Sequence, residues 1–198
     1  AVPAEGAGNR TKKGAGEAGR SAKGLIGPAE PNHVYACVPG KLWSDSEDRG
    51  VYKTTNGGQS WTKILKGANP STGCSMMSMD PKSPKTIYAG MWDFRRKGWP
   101  FRSGGDGETA PSASGFFKSA DGGATWSDLN ESTAKGLPAK PVGRIAVTVA
   151  PSNPTGVHAF IDTAPATHAH TPPVHTGSTG DVRTRRQGVT RCARGGGG

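Results

Sequence analysis

The sequence predicts an all-β chain: a partial β-propeller of about two and a half four-stranded antiparallel blades, with disordered N- and C-terminal tails. Three observations predict it. The stretch Val51 to Trp61 recurs as Phe116 to Trp126, each copy running hydrophobic, aromatic, Lys, Ser/Thr, any, Asp/Asn, Gly, Gly, any, Ser/Thr, Trp. A second pattern, Pro-x-x-Pro-x-x-(Val/Ile)-(Tyr/His)-Ala, starts at Pro28, Pro81 and Pro151. The composition, 31 Gly and 16 Pro among 198 residues and only 32% hydrophobic, favours turns over long helices.

Residues 1–27 are Gly, Ala, Lys and Arg with no apolar periodicity before Leu25 and Ile26, which predicts a disordered tail. Each Pro pattern is a turn feeding a short strand, because proline pushes the residue before it into extended backbone. The runs Cys74 to Met79 and Arg144 to Val149 precede the second and third patterns and supply a strand before the turn. Each Gly-Gly stretch is a hairpin: an aromatic strand enters a turn whose glycines accept positive φ, and a second strand leaves through Trp. The unit is therefore strand A, Pro turn, strand B, variable loop, strand C, Gly-Gly turn, strand D, which is a propeller blade. Blades fall at about residues 21–66, with strand A weak or missing, and 74–130, followed by a half blade at 143–162 within a folded segment 28–162. The spacing from Pro turn to Gly-Gly turn is longer in the second blade, and the excess lies in its B to C loop, where an insertion leaves the sheet untouched. After Asp162 the expected hairpin does not arrive. Residues 163–198, rich in Pro, Thr, His, Arg and Gly, are predicted to be a disordered tail or one that lies outside the family of the repeats. Two and a half blades do not close a ring of roughly 4 to 8, so the chain is expected to be a piece of a larger propeller, with the remaining blades as its partners and with exposed edges.

The net charge of +10 does not point to nucleic acid. The two tails carry +3 and +4 and leave +3 for the 135 residues between them, so most of the basic character lies outside the predicted sheets. No window approaches the ~18 apolar residues of a membrane helix, and residues 1–13 lack the apolar core of a signal peptide. Cys37, Cys74 and Cys192 have no metal-binding spacing, so neither a disulfide framework nor a zinc site is expected, and buried thiols are the expectation for Cys37 and Cys74. His168, His170 and His175 sit in a Thr/Pro-rich stretch and are not expected to bind metal. No cofactor motif is present. Asn130-Glu131-Ser132 and Asn9-Arg10-Thr11 fit glycosylation sequons, a weak signal.

Antiparallel strands place successive connections at opposite ends of a sheet. The Pro and Gly-Gly turns therefore share one rim, and the B to C loops share the other. On the first rim, Thr54, Asn56, Gly58 and Trp61, and Ser119, Asp121, Gly123 and Trp126, are expected to be turn architecture rather than catalytic groups. On the second rim, the loops 39–49 and 91–106 hold three of the five Trp and dense charge. Trp92 and Phe94 alternate as residues that pack the insertion on its own sheet. Trp43, Arg95, Trp99 and Arg102 are candidate ligand-binding residues, since aromatic planes beside Arg suit sugar faces or a peptide segment. Asp45, Asp93 and Asp106 are weak candidates for the paired carboxylates of a glycosidase.

The Gly-Gly hairpins resemble the Asp-box (BNR) repeat, Ser-x-Asp-x-Gly-x-Thr-Trp, of sialidases, sortilin-type receptors and xyloglucanase-type glycoside hydrolases. The second copy matches at every defined position; the first has Thr54 for Ser, Asn56 for Asp and Ser60 for Thr. Over 28–162 the resemblance implies an extracytoplasmic propeller that binds carbohydrate or peptide, or a glycoside hydrolase, or, more weakly, a photosystem assembly factor-like module that binds a protein. The sialidase Phe/Tyr-Arg-Ile-Pro segment is absent, and Arg95, Arg96 and Arg102 share one loop instead of being separated, so the sialidase arginine set does not carry over.

Overall fold

The computed structural model describes residues 23–96, 101–103, 112–130, 132–134, 136–153, 156–163 and 187–193. All of its regular elements are strands. The first blade is an antiparallel meander of β1 (Lys23–Ile26), β2 (Val34–Val38), β3 (Gly50–Thr54) and β4 (Thr62–Lys66), in that order. The second contains β5 (Thr72–Met79), β6 (Ile87–Arg96), β8 (Gly115–Ser119) and β9 (Ser127–Leu129), with β7 (Phe101–Ser103) paired to the far end of β6. The third sheet has β10 (Ile145–Val149), β11 (Gly156–Asp162) and β12 (Gln187–Ala193). These are the sheets of a partial β-propeller.

Three details differ from expectation. Strand A of the first blade is present as β1, with four residues registered against Val34 to Cys37. The insertion in the second blade grows from the sheet as a ribbon, Phe94 to Arg96 pairing with Phe101 to Ser103. In the segment 163–198, β12 lies antiparallel to β11, from Gly156↔Ala193 to Asp162↔Gln187. The rest of that tail and residues 1–22 lie outside the described residues.

The blades are joined by apolar layers between sheets. One layer, between the first two blades, holds Tyr35, Cys37, Val51, Met77, Ile87, Ala89 and Met91. Another, between the second blade and the third sheet, holds Tyr88, Phe116, Val142, Ile145, Val147, Val149, Val157 and Ile161. Strand alternation explains the division. Along β10, Ile145, Val147 and Val149 are buried while Thr148 is exposed, so one face alone enters the layer. Each such aliphatic side chain contributes about 1.5–3 kcal/mol on burial.

β5 is buried along most of its length because sheets lie on both sides. Its serines permit a close approach by β10. The Ser75 hydroxyl lies 2.5 Å from the Ile145 carbonyl and 3.1 Å from that of Gly90, and the Val149 amide donates to Ser78 Oγ at 3.0 Å.

The cysteine expectation is overturned. Cys37 on β2 and Cys74 on β5 form a disulfide between the first two blades, with Cα atoms 5.1 Å apart. Each cysteine belongs to a separate repeat, so spacing along the chain gives no sign of the pairing. The inward parity of both strands brings the two sulfurs into one layer.

Candidate functional site

The turn rim repeats its chemistry in both blades. Gly57 donates its amide to the Asn32 carbonyl at 3.0 Å and Gly122 to that of Lys85 at 2.8 Å, so Pro turn and Gly-Gly turn meet as strand parity requires. In the first hairpin the Thr54 hydroxyl donates to Asn56 Oδ1 at 2.8 Å and accepts from the Gly58 amide at 3.0 Å, while the Ser60 amide donates to Asn56 Oδ1 at 3.0 Å. In the second, Ser119 Oγ donates to Asp121 Oδ1 and accepts from the Gly123 amide, both at 2.8 Å; Asp121 also accepts from the Thr125 amide at 2.9 Å and its hydroxyl at 2.6 Å. Those hydrogen bonds, the Thr125 hydroxyl foremost, hold the Asp121 carboxyl below the usual carboxylate range. Gly57, Gly58, Gly122 and Gly123 all have positive φ. Trp126 packs against the layer between the first two blades, and neither indole N–H, of Trp61 or Trp126, has a hydrogen-bond partner among the described residues. The hydroxyl and Asx side chains thus spend their hydrogen-bonding capacity on folding the turns.

A cavity of about 370 Å³ also opens on this rim, bounded by both Pro turns, Tyr35, Lys53 and Gly122. It is made of repeat residues, and the Tyr35 hydroxyl and Lys53 ammonium both donate to the Gly122 carbonyl, at 3.1 and 3.0 Å. Those bonds tie one blade to the next turn.

The loop rim is built differently, around Arg49. This side chain is 2% exposed. Its guanidinium donates to the carbonyls of Pro39 at 2.6 Å and Ser44 at 3.1 Å and to that of Lys41, closing the 39–49 loop upon itself. It also lies 4.4 Å from the centre of the Phe94 ring. Burial, aided by the neighbouring Arg95 charge, lowers its pKa to about 10, while Asp45 and Asp93 pull the other way. It stays charged at neutral pH. Gly40 is needed beneath it: φ there is +81°, and a Cβ would collide with Arg49 Cγ.

The sequence candidates then separate. Asp45 pairs with Arg95 across the two blades. Asp93 is 1% exposed and accepts from Ser71 Oγ at 2.6 Å, Asn69 Nδ2 at 3.1 Å and the Ala113 amide at 3.2 Å, while its own amide donates to Ser114 Oγ at 2.9 Å. It thereby pins the loop before β5 and the chain entering β8. Trp43 is 60% exposed, with the Arg96 guanidinium 5.5 Å from its ring centre. Arg102 lies in β7, its backbone registered with Arg95. Trp99 and Asp106 lie outside the described residues.

Trp92 and Phe94, two residues apart on β6, share a face and stack with ring centres 4.4 Å apart. Arg144, just before β10, places its guanidinium 5.1 Å over the Trp92 ring. Between them and the 39–42 turn lies a cavity of about 150 Å³, lined by Pro39, Leu42, Ser75, Trp92, Phe94 and Arg144. Sequence reasoning missed Arg49 and Arg144. Beside Asp45, Glu47 and Asp48 an arginine reads as a solvated charge; the Gly at 40 that makes room for Arg49 was the available signal. Arg144 gave none, since its partner ring is on another blade. Among the described residues no group of three or more His, Cys, Asp or Glu side chains is placed to hold a metal.

No family model and no curated protein matches the chain. Solved structures do. The GH74 xyloglucanase from Xanthomonas campestris matches at 17% identity and a TM-score of 0.48, over 73% of this chain and 18% of that one. An ancestral GH74 enzyme matches at 17% identity and 0.46, over 72% and 17%, and the GH74 enzyme of Niastella koreensis at 16% and 0.40, over 72% and 26%. The chain thus spans about a quarter or less of the length of these structures.

Proposed function

We propose that this chain is the carbohydrate- or peptide-binding part of a larger propeller, acting through the loop rim. The observation that carries the reading is Trp43, a large apolar ring left 60% exposed on a loop that Arg49 otherwise ties down, with a guanidinium behind it and a cavity beside it. A flat ring held in the open by a rigid loop offers stacking area at small entropic cost. The disulfide between Cys37 and Cys74 supports an extracytoplasmic setting, where such bonds persist. Among the described residues no helix is long and apolar enough to cross a membrane.

A hydrolase would need two carboxyl groups flanking one bond, about 5 to 10 Å apart. Asp93 is sealed among its donors and Asp45 is paired with Arg95, which favours binding over turnover. The test is a titration of the chain against a panel of polysaccharides and peptides, followed by intrinsic tryptophan fluorescence. Trp43→Ala is expected to weaken the bound ligand's affinity roughly tenfold or more while leaving the unfolding midpoint nearly unchanged. Unaltered affinity in that variant would remove the rim from the reading. Release of reducing ends, lost in Asp45→Asn, would replace the binding role with a glycoside hydrolase.

A further inference from the structure

The loop rim carries two indole–guanidinium pairs, and they are connected. Arg144 lies over Trp92, Trp92 stacks on Phe94, and Arg96 lies over Trp43. Trp92, Phe94 and Arg96 fall at alternate positions of β6, and the Arg96 amide donates to the Leu42 carbonyl at 3.2 Å, which brings the Trp43 loop against the end of that strand. The result is a row of rings and cations running from the mouth of the 150 Å³ cavity to the exposed Trp43.

Two further arginines of this rim are already engaged, Arg49 with three loop carbonyls and Arg95 with Asp45. Arg96 and Arg144 are exposed, and among the described residues neither guanidinium is paired with a carboxylate. Each is held on an aromatic face, and among the described residues neither guanidinium donates a hydrogen bond. A guanidinium in that posture keeps its fork available for a planar anion, and the ring beneath supplies a surface for an apolar sugar face.

We propose that this row is a binding track for an acidic polysaccharide, whose uronate carboxylates are taken by Arg96 and Arg144 while its sugar rings lie along Trp43 and the cavity edge. The proposal rests on the reading of the loop rim as a ligand-binding surface and names the ligand's class. A saccharide fits better than an acidic peptide because each guanidinium lies on an indole, so that a cation and an apolar ring face are presented together, as carboxylate and ring face are on a single uronate residue.

The test uses the whole chain at about 0.15 M ionic strength, where diffuse attraction to the basic tails is screened. Polygalacturonate, an uncharged β-glucan and poly-glutamate are titrated in parallel. Polygalacturonate is expected to bind most tightly, with Arg96→Gln and Arg144→Gln each weakening it roughly tenfold or more. Lys85→Gln, which removes the same charge from the turn rim, is expected to leave it unchanged. Equal losses in all three variants would overturn the proposal in favour of non-specific charge attraction, and poly-glutamate binding as tightly would overturn it in favour of a peptide. Glucan and polygalacturonate binding alike, sensitive to Trp43→Ala but not to the arginine variants, would overturn the acidic class while leaving the rim's binding role intact. Failure of every polymer and peptide would remove both.

Discussion

The hairpins at Asn56 and Asp121 fold the same turn with different chemistry. In each, a hydroxyl two residues before the Asx side chain bridges it to a glycine amide, and the Asx oxygen takes the amide four residues on. Only the last bond differs. Asn56 donates its amide to Ser60 Oγ at 2.8 Å, whereas Asp121 accepts from Thr125 Oγ1 at 2.6 Å. A hydroxyl serves as donor or acceptor with equal ease, so the turn forms with or without a negative charge. The comparison teaches that the carboxylate is not what the motif requires. It requires an oxygen acceptor and glycines at positive φ, which is why a conspicuous Asp in a repeated loop is architecture.

The comparison breaks first at the tryptophans. Trp126 packs into the layer between the first two blades, while Trp61 is not part of either described core layer. Trp126→Ala is expected to cost about 2–3 kcal/mol, short of the full value for a wholly buried ring, and Trp61→Ala clearly less. Urea unfolding of the two variants checks it; equal losses would mean that the second hairpin is no more embedded than the first. A smaller gap is expected at the glycines. Alanine at Gly58 or Gly123 is forced to positive φ, at roughly 1–2 kcal/mol, and at Gly123 the new Cβ would also meet Ile64 Cδ1 of the first blade. Gly123→Ala should therefore lower the unfolding midpoint further than Gly58→Ala. The reverse order would show that the inter-blade contact yields freely.

How much of this was legible in the sequence follows from the range of each interaction. The hairpins, the Pro turns and the rim on which each loop emerges are local, set by glycine φ, proline and strand parity, and the residues spelled them out. Contacts between blades were illegible. The pairing of Cys37 with Cys74, the Ser75 bond to Ile145 and the seat of Arg144 over Trp92 all depend on which faces of separate sheets come together. At the candidate site, Trp43 stood out as a ring in a charged loop. Asp93 looked equally available in sequence, and only the closing of Asn69, Ser71 and Ala113 around it reveals a buried anchor. Arg49 looked like solvent charge because the carbonyls it collects belong to its own loop and carry no side-chain signature.

The smallest effect is also the sharpest test of the hairpin comparison, because it depends on charge alone. Asp121 has its folded-state pKa held below the unfolded value of about 3.9. A group depressed in this way adds stability that is fully present above the unfolded pKa and is lost as pH falls through the folded one. Asn56 does not titrate and contributes no such slope. Asp121→Asn should thus be less stable than the parent chain at pH 7, with the Thr125 hydroxyl oxygen accepting from the new amide as that of Ser60 does from Asn56, and the difference should shrink as the pH is taken below about 4. Every other carboxylate titrates in both proteins, so subtracting the two unfolding curves at each pH isolates this one. The reciprocal change, Asn56→Asp, should introduce the same slope into the first hairpin. Curves for Asp121→Asn and parent that stay parallel from pH 7 down to about 3 would mean that solvent already screens the Thr125 bonds, and that the two copies differ in sequence but not in energetics.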